Sequence, residues 1–121
     1  METHESKEMY LETILRLSNE STRVRSIDVA NQLGFSRASV SVATKNLKEQ
    51  GYIEILPDNS LKLTNRGEAI ANQVFEKHRV LTDMLESFGV SKETAENDAC
   101  RIEHIISDET FTKIKEYLAK K

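Results

Sequence analysis

Two short helical patterns that meet at Gly34 constrain the fold of this chain most strongly. Ser26 is predicted to cap the first helix and Gly34 to end it, while Ser36 is predicted to cap the second and Gly51 to close it. The inward-facing residues recur at helical spacing: Ile27, Val29, Ala30 and Leu33, then Val40, Ala43 and Leu47. Two helices joined by a short glycine-containing turn predict a helix-turn-helix.

The segment after Gly51 predicts a β-hairpin. Tyr52–Leu56 and Leu61–Leu63 are rich in residues that favour strands, and residues 57–60, Pro-Asp-Asn-Ser, are typical of a turn. A hairpin directly after a helix-turn-helix predicts a winged helix, with the hairpin as its wing.

Further helical patterns flank the winged helix. A first helix is predicted over Glu5–Asn19, a fourth from a Thr64 cap to about Phe88, a fifth from a Ser91 cap to Ile106, and a sixth after a Ser107 cap. Gly67 is expected to weaken the first turn of the fourth helix. The predicted fold is therefore mainly α, with a winged helix domain that has a two-stranded wing over 1–68 and a C-terminal helical domain over 69–121. The first helix is expected to contribute to both domains.

The charge of the chain is unevenly distributed. The net charge is −3, but the segment from Arg23 to Arg66 holds seven basic and four acidic side chains. A basic middle between acidic flanks favours a DNA-facing module beside a cation-binding one. The N-terminus has no signal pattern and no apolar run reaches the length of a membrane span, so a cytoplasmic location is expected. The single cysteine, Cys100, excludes an internal disulfide and leaves its thiolate free to bind a metal.

Cys100, Glu103 and His104 are spaced i, i+3 and i+4, which places the three side chains on one face of a helix. A thiolate, a carboxylate and an imidazole that point the same way can bind a divalent transition metal. Spacing alone leaves open an ordinary amphipathic surface in which the cysteine is a small buried apolar residue. Candidates for further ligands are Met9, Glu12, His78, Glu96 and Asp98.

Four separated segments resemble, in order, the diphtheria toxin repressor family of metal-dependent repressors. They are residues 9–12 (Met-Tyr-Leu-Glu), residues 57–64 with Gly67, residues 77–79 (Lys-His-Arg), and residues 98–104. The resemblance implies a homodimer that carries a winged helix at each end, takes iron(II) or manganese(II) as corepressor and binds a palindromic operator. Because the chain ends at Lys121, it resembles the short two-domain form.

The resemblance also implies a set of metal ligands. Met9, Cys100, Glu103 and His104 match the primary site of the iron-responsive branch, whereas Glu12 and His78 match ligands of the manganese transport regulators. In the ancillary site of the iron branch, which also uses His78, the other helical positions fall at Thr82 and Glu96. Soft sulfur ligands disfavour manganese, so iron(II) is the favoured ion and manganese(II) the second candidate, although zinc, nickel or cobalt would bind at least as tightly in vitro.

The start of the second helix of the motif is expected to enter the major groove. The residues predicted to contact DNA are Arg25, Ser36, Arg37, Ala38, Ser39, Ser41 and Lys45. Because few long side chains face outward there, we expect readout mainly by shape and van der Waals contact. Pairing of two chains is expected through apolar residues of the C-terminal domain: Leu81, Leu85, Phe88, Phe111, Ile114, Tyr117 and Leu118.

The predicted function is a metal-dependent transcriptional repressor of metal homeostasis genes, and not an enzyme. A metal-independent winged-helix regulator and a small metalloenzyme are the alternatives. An enzyme would need a positioned acid or base in a pocket, and no sequence motif supplies one.

Overall fold

The computed structural model describes residues 4–21 and 23–120, with the side chains of residues 4 and 5 left out. The helices are α1 (His4–Glu20), α2 (Ser26–Leu33), α3 (Arg37–Glu49), α4 (Asn65–Ser87), α5 (Lys92–Ile102) and α6 (Asp108–Ala119), and the strands are β1 (Ile53–Ile55) and β2 (Leu61–Leu63). The chain forms two compact units, unit 1 (Met1–Asn72) and unit 2 (Gln73–Lys121). The predicted functional boundary at 68/69 stays a prediction.

The helix-turn-helix of unit 1 forms as predicted, with one correction at its first cap. Gly34 adopts a left-handed conformation with φ 72°, and the N–H of Phe35 donates to the carbonyl of Ala30, which ends α2. The N-cap of α2 is Arg25 and not Ser26, because the Asp28 carboxylate accepts from the Arg25 backbone N–H at 2.9 Å. Ser36 caps α3 as predicted, since its oxygen accepts from the N–H of Ser39 at 3.1 Å.

The wing is an antiparallel hairpin in which Ile53 pairs with Leu63 and Ile55 with Leu61. Its turn is closed by a bond from the Leu56 N–H to the Ser60 carbonyl at 2.9 Å. The Asp58 carboxylate accepts from both the backbone N–H and the hydroxyl of Ser60 and lies 3.2 Å from Arg23 Nε. The bonds from Ser60 lower the pKa of Asp58. These contacts fix the shape of the turn.

The core of unit 1 is one continuous apolar cluster. It draws on every helix and strand of the unit: Tyr10, Leu11, Ile14, Val24, Val29, Ala30, Val40, Ala43, Leu47, Ile53, Leu61 and Ala71. Val40 is fully buried, as the sequence pattern predicts.

Gly67 is required by packing, a role that its expected weakening of the first turn of α4 does not include. A Cβ at this position would lie 2.0 Å from the backbone carbonyl oxygen of Tyr52. Thr64 caps α4 as predicted, with its hydroxyl oxygen accepting from the Gly67 N–H at 3.2 Å. The glycine therefore lets the first turn of α4 approach the start of the wing.

Unit 2 consists of the rest of α4 together with α5 and α6. Ser91 and Ser107 cap α5 and α6 as predicted. The last turn of α5 differs from the prediction, because the helix ends at Ile102 and residues 103–105 form a turn. Lys115 Nζ lies 3.0 Å from a carboxylate oxygen of Glu76. Lys77 of α4 and Lys115 of α6 both place Nζ near the ring of Phe111, which also lies on α6.

The apolar residues predicted for chain pairing divide into three groups, of which the half-buried one is Leu85, Ile114 and Leu118. Leu81 is fully buried and Phe111 is 7% exposed, so they pack inside the protein and the prediction was wrong to count them as surface. Phe88 and Tyr117 are 65% and 60% exposed.

Among the residues that the structure describes, no helix is long and apolar enough to cross a membrane.

Candidate metal centre and nucleic-acid interface

His78, Cys100 and Glu103 form a compact cluster inside unit 2. His78 comes from α4, Cys100 from the last turn of α5, and Glu103 is the first residue after α5. His78 Nδ1 lies 3.0 Å from Glu103 Oε2 and 3.8 Å from Cys100 Sγ. One ligand atom of each residue lies within 4.8 Å of those of the other two, which a single metal ion can span.

Glu103 is the most unusual residue of this cluster. The residue is 1% exposed, yet its Oε1 accepts no hydrogen bond from the described residues. A buried carboxylate oxygen without a partner is costly unless a charge or a donor satisfies it. A divalent ion supplies that charge, and imidazole, thiolate and carboxylate are ligands that such an ion accepts. The residues present therefore fit a transition metal.

His78 is held in its protonated form by its neighbours. Hydrogen bonding to Cys100, and next to Glu103, raises the pKa of His78 to about 10, against an opposing contribution from burial. A metal ion bound by the same side chains would compete with this proton for the imidazole nitrogen.

The sequence predicts that His104 shares a helix face with Cys100, but the structure differs. Because α5 ends at Ile102, His104 lies in the following turn, where its Nε2 is 3.4 Å from Glu103 Oε1. The imidazole is thus beside the unsatisfied oxygen. Sequence spacing found the right residues here but assumed one turn of helix too many.

The other predicted ligands have different surroundings. Met9 and Glu12 lie on α1, in unit 1, where Met9 is half-buried and the buried Glu12 pairs with Arg16 at 3.0 Å. In unit 2, Glu96 and Asp98 are exposed. Glu96 lines a groove with His78 and Thr82, but the Thr82 hydroxyl donates to the His78 carbonyl at 2.7 Å. The Thr82 hydroxyl is thus held by its own helix, and as a neutral group it cannot supply the charge of a carboxylate ligand.

The predicted DNA-contacting residues lie on α3 or at its N-cap, except for Arg25, which is the N-cap of α2. Arg25, Ser36, Arg37, Ala38, Ser39 and Lys45 are exposed, and Ser41 is half-buried. Ser36 and Ser39 bond to each other, since the Ser36 hydroxyl donates to Ser39 Oγ at 2.9 Å. Their first structural role is therefore to cap α3.

Sequence reasoning missed Val42 on the outer surface of α3. Its side chain is 61% exposed. Val42 follows Ala38 by four positions, so both lie on one face of the helix and offer methyl groups there. The helical spacing that assigned Val40 to the core could have identified it.

Two family models match the chain in succession. The N-terminal DNA binding domain of the iron dependent repressors matches residues 2–61, and their metal binding and dimerisation domain matches residues 64–120. Transcriptional regulator MntR of Escherichia coli O6:H1 is 35% identical over 111 residues, which cover 92% of this chain and 72% of that protein. The chain belongs to the iron-dependent repressor family.

Other members support the same assignment. The diphtheria toxin repressor of Corynebacterium efficiens is 34% identical over 118 residues, and the match covers 94% of this chain but 50% of that protein. The crystal structure of IdeR from T. acidophilum is 25% identical with a TM-score of 0.82, over 93% of this chain and 53% of that one. The chain thus spans about half the length of these two relatives.

Membership in the family assigns a general role to each part of the chain. Residues 2–61 contain the helix-turn-helix and wing and correspond to the DNA-binding domain, and residues 64–120 contain the metal-site candidates. The homologues are metal-dependent transcriptional repressors, in agreement with the function predicted from the sequence.

Proposed function

We propose that this protein is a metal-activated transcriptional repressor that binds operator DNA as a homodimer and controls genes of metal homeostasis. The observation that carries the proposal is the cluster of His78, Cys100 and Glu103, with a buried carboxylate oxygen left unsatisfied. It lies in the part of the chain that matches a metal-binding and dimerisation domain. A winged helix in the other part would read the DNA.

The geometry of unit 2 supports His78, Cys100 and Glu103 as ligands of one ion. His104 lies beside the other oxygen of Glu103 and is proposed as a ligand through the family resemblance. Met9 and Glu12 are proposed through the family resemblance. The ion would supply the positive charge that balances the buried carboxylate and the thiolate, replacing the proton held by His78. No acid, base or open substrate pocket is needed for this role, so we propose a regulator and not an enzyme.

Cys100 supports iron(II) as the preferred ion. A thiolate is a soft ligand, and manganese(II) favours oxygen, so a site with sulfur discriminates against manganese. Manganese(II) remains the second candidate because the carboxylate and imidazole ligands also accept it.

Exposed basic and small residues at the start of α3 support DNA as the partner. Arg37 and Lys45 can neutralise phosphates, and Ala38 and Val42 can contact thymine methyl groups. Two-fold pairing through exposed residues of unit 2 such as Phe88 and Tyr117 would match a palindromic operator with half-sites about 34 Å apart.

A DNA-binding titration tests the proposal. Protein stripped with chelator would be titrated against a selected operator sequence, without metal and with iron(II) or manganese(II) under anaerobic conditions. We expect the metal to strengthen operator binding about 5- to 150-fold, the range of typical allosteric coupling. Glu103→Gln should abolish the increase, because it removes the buried negative charge, whereas Glu109→Gln, an exposed control on α6, should retain it. Equal affinity with and without metal would contradict the proposal.

A further inference from the structure

Tyr52 joins the end of α3 to the start of α4 through its main chain. Its N–H donates to the carbonyl of Leu47 in the last turn of α3 at 3.0 Å. Its own carbonyl accepts from the N–H of Thr64, which caps α4, at 3.0 Å. A displacement of either helix end is therefore passed to the other through one residue.

The side chain of Tyr52 contacts two further elements. Lys7 of α1 places Nζ 4.7 Å from the ring centroid and 3.3 Å from the hydroxyl. Arg66, in the first turn of α4, places Cζ 4.6 Å from the centroid and Nη2 3.3 Å from the hydroxyl. Both contacts are attractive, because cations are stabilised by the face of an aromatic ring. The hydrogen bond from Lys7 lowers the pKa of Tyr52.

The packing around Tyr52 leaves little freedom for movement. Arg66 Nη1 donates to the Gln50 carbonyl at 2.9 Å, and the Thr64 hydroxyl donates to the Gly51 carbonyl at 2.7 Å. Gly67 lies so close to the Tyr52 carbonyl that a Cβ would not fit. We call this group, Lys7, Gln50, Tyr52, Thr64, Arg66 and Gly67, the Tyr52 junction.

The helices that meet at the Tyr52 junction carry the two functions proposed above. Met9 and Glu12 follow Lys7 on α1, and His78 lies on α4, which is one continuous helix from Asn65 to Ser87. The opposite end of α3 carries the proposed DNA contacts. A movement of α1 or α4 as a rigid element would be carried to α3 at these contacts.

We propose that Tyr52 is a positioning residue that couples metal binding to DNA binding by joining α1 and α4 to the C-terminal end of α3. The inference rests on the proposed function and identifies the residue that links metal binding to DNA binding. Tyr52 is neither one of the proposed metal ligands nor one of the proposed DNA contacts. Weakening the junction should leave metal affinity intact and reduce the effect of metal on operator affinity.

The test measures a coupling ratio, which is operator affinity in saturating manganese(II) divided by operator affinity in chelator. The variants are Tyr52→Leu, which removes the ring, and Arg66→Gln, which removes one cation. Lys48→Gln is the control, because it removes an equal charge from an exposed position on α3. Calorimetric titration with manganese(II) and thermal unfolding would be recorded for each protein.

We expect Tyr52→Leu and Arg66→Gln to lower the coupling ratio at least about fivefold, the lower limit of typical allosteric coupling. The metal affinity of every variant, measured without DNA, should equal that of the parent. The coupling ratio of Lys48→Gln should also equal the parent value. Tyr52→Phe keeps the ring beneath both cations and should retain more of the ratio than Tyr52→Leu, and Arg66→Lys should restore part of what Arg66→Gln loses. If Tyr52→Leu does not fold, Arg66→Gln and Tyr52→Phe carry the test.

A purely structural role predicts a different result. The variants would unfold at lower temperature but keep the parent coupling ratio when folded, and that outcome would overturn the inference. If the parent itself shows no metal dependence, the proposed function fails first. The coupling ratio of the parent protein therefore distinguishes failure of the proposed function from failure of the inference about Tyr52.

Discussion

The two units of the chain bury very different kinds of side chain. Unit 1 has one apolar cluster of twelve buried residues, including the fully buried Leu11, Ile14 and Leu47. In the described part of unit 2, the buried apolar residues are Val74, Leu81, Ala95, Ala99 and Phe111. Unit 2 also buries the carboxylate of Glu103 as completely as any of them. Unit 1 is therefore stabilised mainly by its own core, whereas unit 2 has fewer large side chains to bury.

This difference indicates what unit 2 requires to be stable. It leaves Phe88, Ile105 and Tyr117 between 60% and 69% exposed, and it holds a buried carboxylate oxygen that accepts no hydrogen bond from the described residues. A second chain would cover exposed apolar side chains, and a metal ion would neutralise the carboxylate. We expect the stability of unit 2 to depend on both, and that of unit 1 to depend on packing.

The largest expected effect is in the core of unit 1. Leu47→Ala should lower the free energy of unfolding by about 2–5 kcal/mol, because it removes a fully buried side chain and leaves a cavity. Val42→Ala, at an exposed position on the same helix, should change it by less than about 0.5 kcal/mol. Urea unfolding of both variants is the measurement. Equal changes in the free energy of unfolding for the two variants would show that burial of Leu47 in this core does not stabilise the fold.

Metal should stabilise unit 2. At a free metal concentration of one hundred times the dissociation constant, the gain in stability should be about 2.7 kcal/mol. Hydrogen exchange should slow in peptides from residues 73–120, and Glu103→Gln should remove that slowing. Protection confined to unit 1 would contradict the division of roles.

Arg37 provides a test of function confined to unit 1. Arg37→Ala should weaken operator binding and reduce the slope of its salt dependence by about one phosphate contact. If Arg37 reads guanine instead, the loss should be about 1–3 kcal/mol and confined to sites with that base. Metal affinity, measured by calorimetry without DNA, should not change. A parent-like operator affinity across salt concentrations would show that α3 is not the recognition helix.

The smallest effect is expected in the wing. Because Ser60 lowers the pKa of Asp58 in the folded protein, the ionised carboxylate contributes stability above its ordinary value of 3.8. That contribution is lost as the pH falls from about this value through the lowered one. Urea unfolding of the parent and Asp58→Asn between neutral pH and pH 3 should show a difference that shrinks only at the acid end. A constant difference would mean that the carboxylate charge plays no part.

Most of the fold could be predicted from local patterns. Helical spacing and the caps at Ser36, Ser91 and Ser107 located the helices, and the turn residues before Leu61 located the wing. What failed depended on particular contacts that residue type and spacing do not specify, one distant in sequence and one local. The need for Gly67 comes from the Tyr52 carbonyl fifteen positions earlier, and the Arg25 cap depends on the carboxylate of Asp28.

The candidate metal site was predicted less completely. Spacing identified Cys100, Glu103 and His104 as candidates but placed all three on a helix that in fact ends at Ile102. His78 was one of several candidates by residue type, and the family resemblance matched it to a ligand, but its proximity to Cys100 and Glu103 is a tertiary contact that spacing does not reveal. Burial of Glu103 could not be read from the sequence, since a carboxylate is normally exposed.

The central claim is that a metal ion binds unit 2 at His78, Cys100 and Glu103. X-ray absorption of the zinc-loaded protein tests it directly, because the sulfur of Cys100 would be a ligand at about 2.3 Å beside nitrogen and oxygen ligands at about 2.0–2.2 Å. We predict that this sulfur contribution is present in the parent and absent in Cys100→Ser. A parent spectrum with nitrogen and oxygen ligands alone, or one that Cys100→Ser leaves unchanged, would contradict the account.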